Sequence, residues 1–85
     1  MSALQGPLRF ATVPQWFRQA DALSASETLD LAEVTYCDSA GLALLIELQR
    51  RARAQQRQLR YINVPQQLRD FAGFFGLQPV LGLDA

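Results

Sequence analysis

The chain of 85 residues has no histidine and no lysine, and a single cysteine, Cys37. Without histidine, no serine or cysteine has the usual neutral-pH base to activate it, and without lysine a lysine-assisted serine is excluded as well. Cys37 has no partner for an internal disulfide, and no cysteine or histidine cluster offers metal ligands, so neither a metal nor a cofactor is expected and a reducing compartment is the default. No phosphate-cradling glycine loop appears, and Cys37-Asp38-Ser39-Ala40-Gly41 lacks the first glycine of a nucleophile elbow. No catalytic residue is therefore assigned, and an enzyme is not expected. An excess of positive charge is also missing: eight arginines balance eight acidic residues, which argues against a nucleic-acid binder. No uncharged apolar run approaches the roughly 20 residues that span a bilayer. Met1 to Pro7 has neither a basic start nor an apolar run, so no leader peptide is expected. A role at a membrane would have to run through a partner.

What is present suits a small globular unit. Hydrophobic residues make up 49% of the chain, enough for one core and too many for a disordered tail, and the length suits a single domain over residues 1–85 with a modest stability margin. Gly6-Pro7 marks a turn, and Leu8-Arg9-Phe10 reads as a short strand with Leu8 and Phe10 on one face. Thr12-Val13-Pro14-Gln15 has the form of a capping box, followed by a helical stripe of Val13, Trp16, Phe17, Ala20 and Leu23 in which Trp16 packs into the core. Leu29 and Leu31 alternate with polar neighbours in a strand that ends near Val34. Gln58 to Val64 reads as a second inner strand, and Pro65 opens a helix with Leu68, Phe71, Ala72 and Phe75 buried and Gly76 as a left-handed stop. Phe74 lies off that stripe, either padding the core's edge or left for a partner. Val80 and Leu81 could add a last strand, for a layer of about four strands with helices packed on it, an α/β fold.

The chain is organised around Tyr36 to Leu45. Asp38 or Ser39 can cap the first free amides of a helix, and Ala40 and Gly41 leave its first turn nearly bare. Such an entrance either packs tightly on a neighbouring strand or lets another surface approach. Leu42, Leu44, Leu45, Ile46 and Leu48 then ring the helix with apolar groups, so it must be covered on more than one side. At its far end Arg50, Arg51, Arg53 and Arg57 complement the helix dipole, with Glu47 spaced for ion pairs to Arg50 and Arg51; a basic patch for phosphate or lipid headgroups is the alternative reading.

Asp38-Ser39-Ala40-Gly41-Leu42, directly after the strand-like Leu29 to Val34, resembles the signature of the STAS domain family of anti-sigma factor antagonists and transporter-associated regulators. Leu8 to Pro14, Arg50 to Arg53, Leu59 to Pro65 and Gly76-Leu77 fall in the order and spacing of its MlaB-type branch, with the resemblance running over roughly residues 6 to 82. That resemblance implies a non-catalytic cytoplasmic subunit, peripheral to the inner membrane of a Gram-negative bacterium through its partner, the ATPase of the Mla phospholipid-transport ABC complex. It also implies partner contact through Asp38, Ser39, Ala40, Gly41 and Leu42. In the anti-sigma factor antagonists the phosphorylated residue precedes the glycine, and that position is Ala40 here, which cannot take a phosphate. Ser39 remains the possible phosphorylation site of a rival phospho-switch reading. STAS domains usually carry a further strand before the one expected at Leu8-Arg9-Phe10. Only Met1 to Gln5 could supply it, so the N-terminal strand is expected to be shortened, with an open sheet edge suited to a homodimer.

Overall fold

The computed structural model describes residues 2–83. Its elements are β1 (Ser2–Leu8), α1 (Val13–Phe17), α2 (Ala20–Ser24), β2 (Thr28–Cys37), α3 (Ser39–Ala54), β3 (Arg60–Ile62), α4 (Gln66–Phe74) and α5 (Gln78–Leu81). The described strands form one parallel sheet in the order β1-β2-β3. Parallel neighbours need crossover connections, and the helices supply them.

Along β2 the buried residues are Leu29 and Leu31, then Val34 and Cys37, so strict alternation gives way to steps of three. The cause lies in the pairing with β1, whose register shifts between Ala3 and Gln5 and again between Gly6 and Pro7. Each irregularity re-aims the side chains that follow, which keeps Leu4 and Leu8 of β1 inside as well. These four β2 residues, Leu4 and Leu8 belong to one core with Leu44, Leu45, Leu48 and Ala52 of α3. As its apolar ring requires, α3 is covered on several sides, by β2, by α1 and α2, and by α5.

Several elements differ from the sequence expectation, each for a local reason. The first strand ends at Leu8 rather than running through Phe10, because Thr12 N–H and Val13 N–H both donate to Arg9 O, at 2.9 Å each, and turn the chain. Phe10 consequently lies 83% exposed instead of facing the core beside Leu8. Ser2 to Gln5 are the first half of β1, not a separate strand; Met1 lies outside the described residues. The Thr12 capping box does not form, since the hydroxyl donates back to Pro7 O at 2.6 Å. The expected single helix is split into α1 and α2 at Arg18 and Gln19. Its stripe survives the break: Val13, Ala20 and Leu23 are buried and Trp16 packs half-buried against the core, while Phe17 reaches the surface.

The sheet has three described strands rather than about four, because Val80 and Leu81 belong to α5. Pro79 suits a first helical turn, and Leu81 N–H closes that turn on Leu77 O at 3.0 Å. The strand expected over Gln58 to Val64 is an edge strand of Arg60–Ile62, ended by Asn63 in the left-handed region at φ 55°. In α4, Leu68 and Ala72 are buried, Phe71 is half-buried, and Phe75 is 52% exposed rather than in the core. Gly76 is the expected left-handed stop, with φ 68° and Leu77 N–H donating to Ala72 O at 2.9 Å.

Candidate functional site: the start of helix α3

Asp38 is the residue that caps α3. Its extended backbone lets Oδ1 accept from Gly41 N–H at 3.1 Å, satisfying one of the helix's free amides. Its other oxygen, Oδ2, accepts from Phe10 N–H at 3.1 Å, so one carboxylate joins the loop after β1 to the start of α3. Two further bonds fix the junction: Asp38 N–H donates to Leu8 O and Leu42 N–H donates to Asp38 O, both at 3.0 Å.

Gly41 shows why the first turn is bare. A Cβ placed there would stand 2.5 Å from Leu8 O and 2.7 Å from the Cys37 sulfur, so the glycine lets α3 close on the ends of β1 and β2. Tight packing thus accounts for Gly41, and Leu42 beside it is also buried. Of the stretch expected to meet a partner, Gly41 and Leu42 are buried, Gly41 against the ends of β1 and β2. Ser39 is exposed, and Asp38 and Ala40 are half-buried.

Ser39 lies on the rim of a groove of about 350 Å³, lined also by Leu42, Ala43 and Ile46 of α3 and by Phe75 and Leu77 beyond α4. The far wall is aromatic: Phe75 packs edge-to-face on Phe71 and on Phe74, with ring centroids 5.2 Å apart in each pair. Phe74 is 82% exposed, so of its two sequence readings the exposed one holds. Phe10 and Phe75 were not picked out as surface residues by the sequence pattern. Each sits where a strand face or an apolar stripe would place it inside, and the turn at Arg9 and the end of α4 at Phe74 leave them outside.

The remaining candidate chemistry is quiet. Cys37 is fully buried, and that burial, followed by the Asp38 charge, pushes its thiol up to about 12, leaving it protonated at neutral pH. Burial also raises the Tyr61 hydroxyl, which donates to Leu45 O. The arginines at the end of α3 are tied rather than free. Arg50 and Arg51 both reach Glu47, at 2.8 and 2.7 Å, and Arg51 extends to Asp21 of α2 at 2.9 Å. Arg57 donates to Ser24 O at 3.1 Å and Arg53 to Val80 O at 3.4 Å, so the cluster clasps α2 and α5 to α3. The plain helix-end reading fits these contacts better than a headgroup patch. No helix among the described residues is long and apolar enough to cross a membrane.

No curated protein matches this sequence closely enough to count as a relative. At the level of families, the one described as "Mlab, STAS domain" matches residues 3–82. The match takes in the sheet, the Asp38 cap, the glycine that lets α3 close on β1, and the exposed Ser39. The chain is accordingly a member of the MlaB-type STAS domain family.

Proposed function

We propose that this protein is a non-catalytic subunit that docks on the cytoplasmic ATPase of a phospholipid-transport ABC complex and supports its assembly and activity. Through that complex it would help keep phospholipids out of the outer leaflet of the outer membrane of a Gram-negative cell, working on the cytoplasmic side and meeting the membrane only through its partner. Membership of the MlaB-type family supports the reading. The observation that carries it is Ser39: an exposed hydroxyl at the first position of the 16-residue helix α3, on a rigidly bonded junction and on the rim of an apolar groove. An entrance of this kind offers a partner a small polar contact beside apolar surface, the usual composition of a protein interface.

The test is affinity for the ATPase together with a melting curve. Ser39→Arg adds a long side chain where a partner must approach, and should abolish binding while changing folding by no more than about 1 kcal/mol, the scale of a surface substitution near a cap. Ser39→Ala should weaken binding less. A folded Ser39→Arg that binds with unchanged affinity would overturn the docking site.

The rival reading is a phospho-switch of the anti-sigma factor antagonist kind, with Ser39 as the acceptor. Exposure of Ser39 allows it, but Asp38 already holds the Gly41 amide, and a phosphate beside that carboxylate would add like charge. Under that reading Ser39→Ala and Ser39→Asp should act oppositely on partner binding, and a kinase-like anti-sigma factor should be captured in place of the ATPase.

A further inference from the structure

We propose that the cavity shared by β3, α4 and the end of α5 binds a phosphate group, with Arg60 and Arg69 as its cationic partners, and that the ligand is a phosphate monoester. The cavity measures about 340 Å³ and is lined by Gln58 to Tyr61 where the chain enters β3, by Arg69 of α4 and by Leu81 to Leu83 where α5 ends. It shares no lining residue with the groove beside Ser39. Arg60 and Arg69 are the charged residues of this lining, and among the described residues no carboxylate lies within ion-pair distance of either. Asp70, which follows Arg69 in the chain, lines a different groove and accepts from Gln66 at 2.8 Å. Two arginines thus share one recess without a counter-charge, unlike Arg50 and Arg51 at the end of α3, which are tied to Glu47 and Asp21.

The guanidinium of Arg69 is fixed at the cavity wall, because Nη1 donates to Leu83 O at 2.9 Å. That bond uses one donor of the planar fork and leaves the others for an anion. Arg60 is exposed, and its backbone N–H is taken by Glu27 O at 3.0 Å, just before β2. Successive residues of a strand turn their backbone groups to opposite sides, so Tyr61 N–H points away from β2, towards the open edge of the sheet, and adds a neutral donor from a lining residue. Leu59, Leu81 and Leu83 are buried and give the cavity an apolar floor, over which the field of the two arginines is poorly screened. An anion carrying two charges matches this setting best. A phosphate monoester carries about −1.5 to −2 at neutral pH, whereas a diester or a carboxylate brings a single charge. The volume lies at the small end of ligand cavities, which run from roughly 300 to 1,000 Å³, so the cavity takes either a small soluble monoester or the terminal phosphate of a lipid such as phosphatidic acid.

The experiment titrates the full chain with inorganic phosphate and follows the backbone amides by NMR, with sodium chloride at matched ionic strength as the control. The Tyr61 amide should shift saturably, and the Tm should rise with phosphate concentration. Arg60→Gln changes an exposed side chain, so it should melt like the parent and bind phosphate at least about tenfold more weakly, the effect of losing a charge-assisted contact. Arg69→Lys keeps the charge and a donor for Leu83 O but loses the planar fork, and should weaken binding as well. Vesicle flotation separates the two sources of the phosphate. Vesicles containing phosphatidic acid should carry the parent but not Arg60→Gln if the ligand is a lipid headgroup, and saturable phosphate binding without flotation assigns a soluble monoester. Equal flotation on phosphatidylglycerol, a diester, would overturn the choice of a monoester. Absence of a saturable shift at Tyr61, an equal response to chloride, or parental affinity in Arg60→Gln would overturn the site.

Discussion

The side-chain amide of Gln67 takes both backbone groups of Cys37: its Oε1 accepts from Cys37 N–H at 3.0 Å, and its Nε2 donates to Cys37 O at 3.1 Å. β3 pairs with β2 only over Thr28 to Asp30, so among the described residues the far end of β2 has no neighbouring strand on that side, and a glutamine from α4 stands in for one. The end of β2 leads straight into the Asp38 cap, which makes Gln67 a support of the candidate site as well as of the sheet.

Gln67→Ala should therefore cost about 1 kcal/mol or somewhat more, since it strips partners from two part-buried backbone groups. Gln67→Glu keeps the acceptor but sets a carboxylate oxygen against Cys37 O, and should cost at least as much. Denaturant melts would rank the variants, and exchange at the Cys37 amide should accelerate in Gln67→Ala.

Gly41→Ala is expected to destabilise although alanine favours helix. The added methyl would press on the backbone oxygen of Leu8 and on the Cys37 sulfur, inside van der Waals contact. Overpacking of this kind costs about 1 to 3 kcal/mol, more than the roughly 1 kcal/mol of helix propensity gained. A shift of the denaturation midpoint to lower denaturant checks it; a midpoint at or above the parent's would refute the close packing.

Leu45 is fully buried in the middle of α3, and Leu45→Ala should leave a cavity worth about 2 to 5 kcal/mol. For a chain this short that is a large share of the total stability. Poor expression or a much lower Tm is the expected result, and an unchanged melting curve would contradict the orientation of α3.

Acid should weaken the clasp at the end of α3. Hydrogen bonds from Arg50 first, and then from Arg51, hold the Glu47 carboxyl at about 2, below its ordinary 4.5. A carboxylate with a lowered folded value stabilises the fold above its unfolded value, and that contribution fades as pH falls from about 4.5 towards 2. The pair is exposed to solvent, so the effect should be small and should shrink further with added salt. Comparing Tm between pH 2 and 6 for the parent and Glu47→Gln is the measurement. The variant should lose less stability over that window.

Self-association through the sheet is a separate proposal. β1 is an edge strand, and its Ser2–Gln5 half is free of proline, whereas Gly6, at φ 78°, and Pro7 interrupt the second half. Pairing with a second copy should be confined to that first half, and hence be weak and dependent on concentration. Sedimentation over a wide concentration range tests it, and a strict monomer at every concentration would refute it.

Much of this arrangement was legible in the residues themselves. Asp38 before a ringed apolar run announces a capped, buried helix, and Leu29 and Leu31 between polar neighbours announce the strand that feeds it. What the pattern hides is where polar side chains spend their bonds. Thr12 could cap a helix or tie down a turn with equal chemistry, and the position of Pro7 O decided for the turn. The register shifts place extra residues in β2 and break the alternation by which that strand is read, while Gly6-Pro7, a turn pair by residue type, lies inside β1. At the candidate site the Asp38 cap was legible from local spacing, whereas the partner contact expected of Ser39 came from the family resemblance. Phe10 and Gln67 depend on contacts across the fold, and no local pattern points to them.

The all-parallel sheet also bears on how the molecule reaches this structure. Ser2 pairs with Leu29, and Thr28 with Arg60, so no two neighbouring strands are joined by a hairpin and no piece of the sheet can form from adjacent residues. Long stretches of chain must close before the first ladder contact is gained, a topology that slows folding. The element able to form earliest from local interactions is the 16-residue helix that begins at Ser39. During synthesis α1, α2 and β2 emerge ahead of that helix and can cover it, but the side that α5 covers stays open until the last element leaves the ribosome.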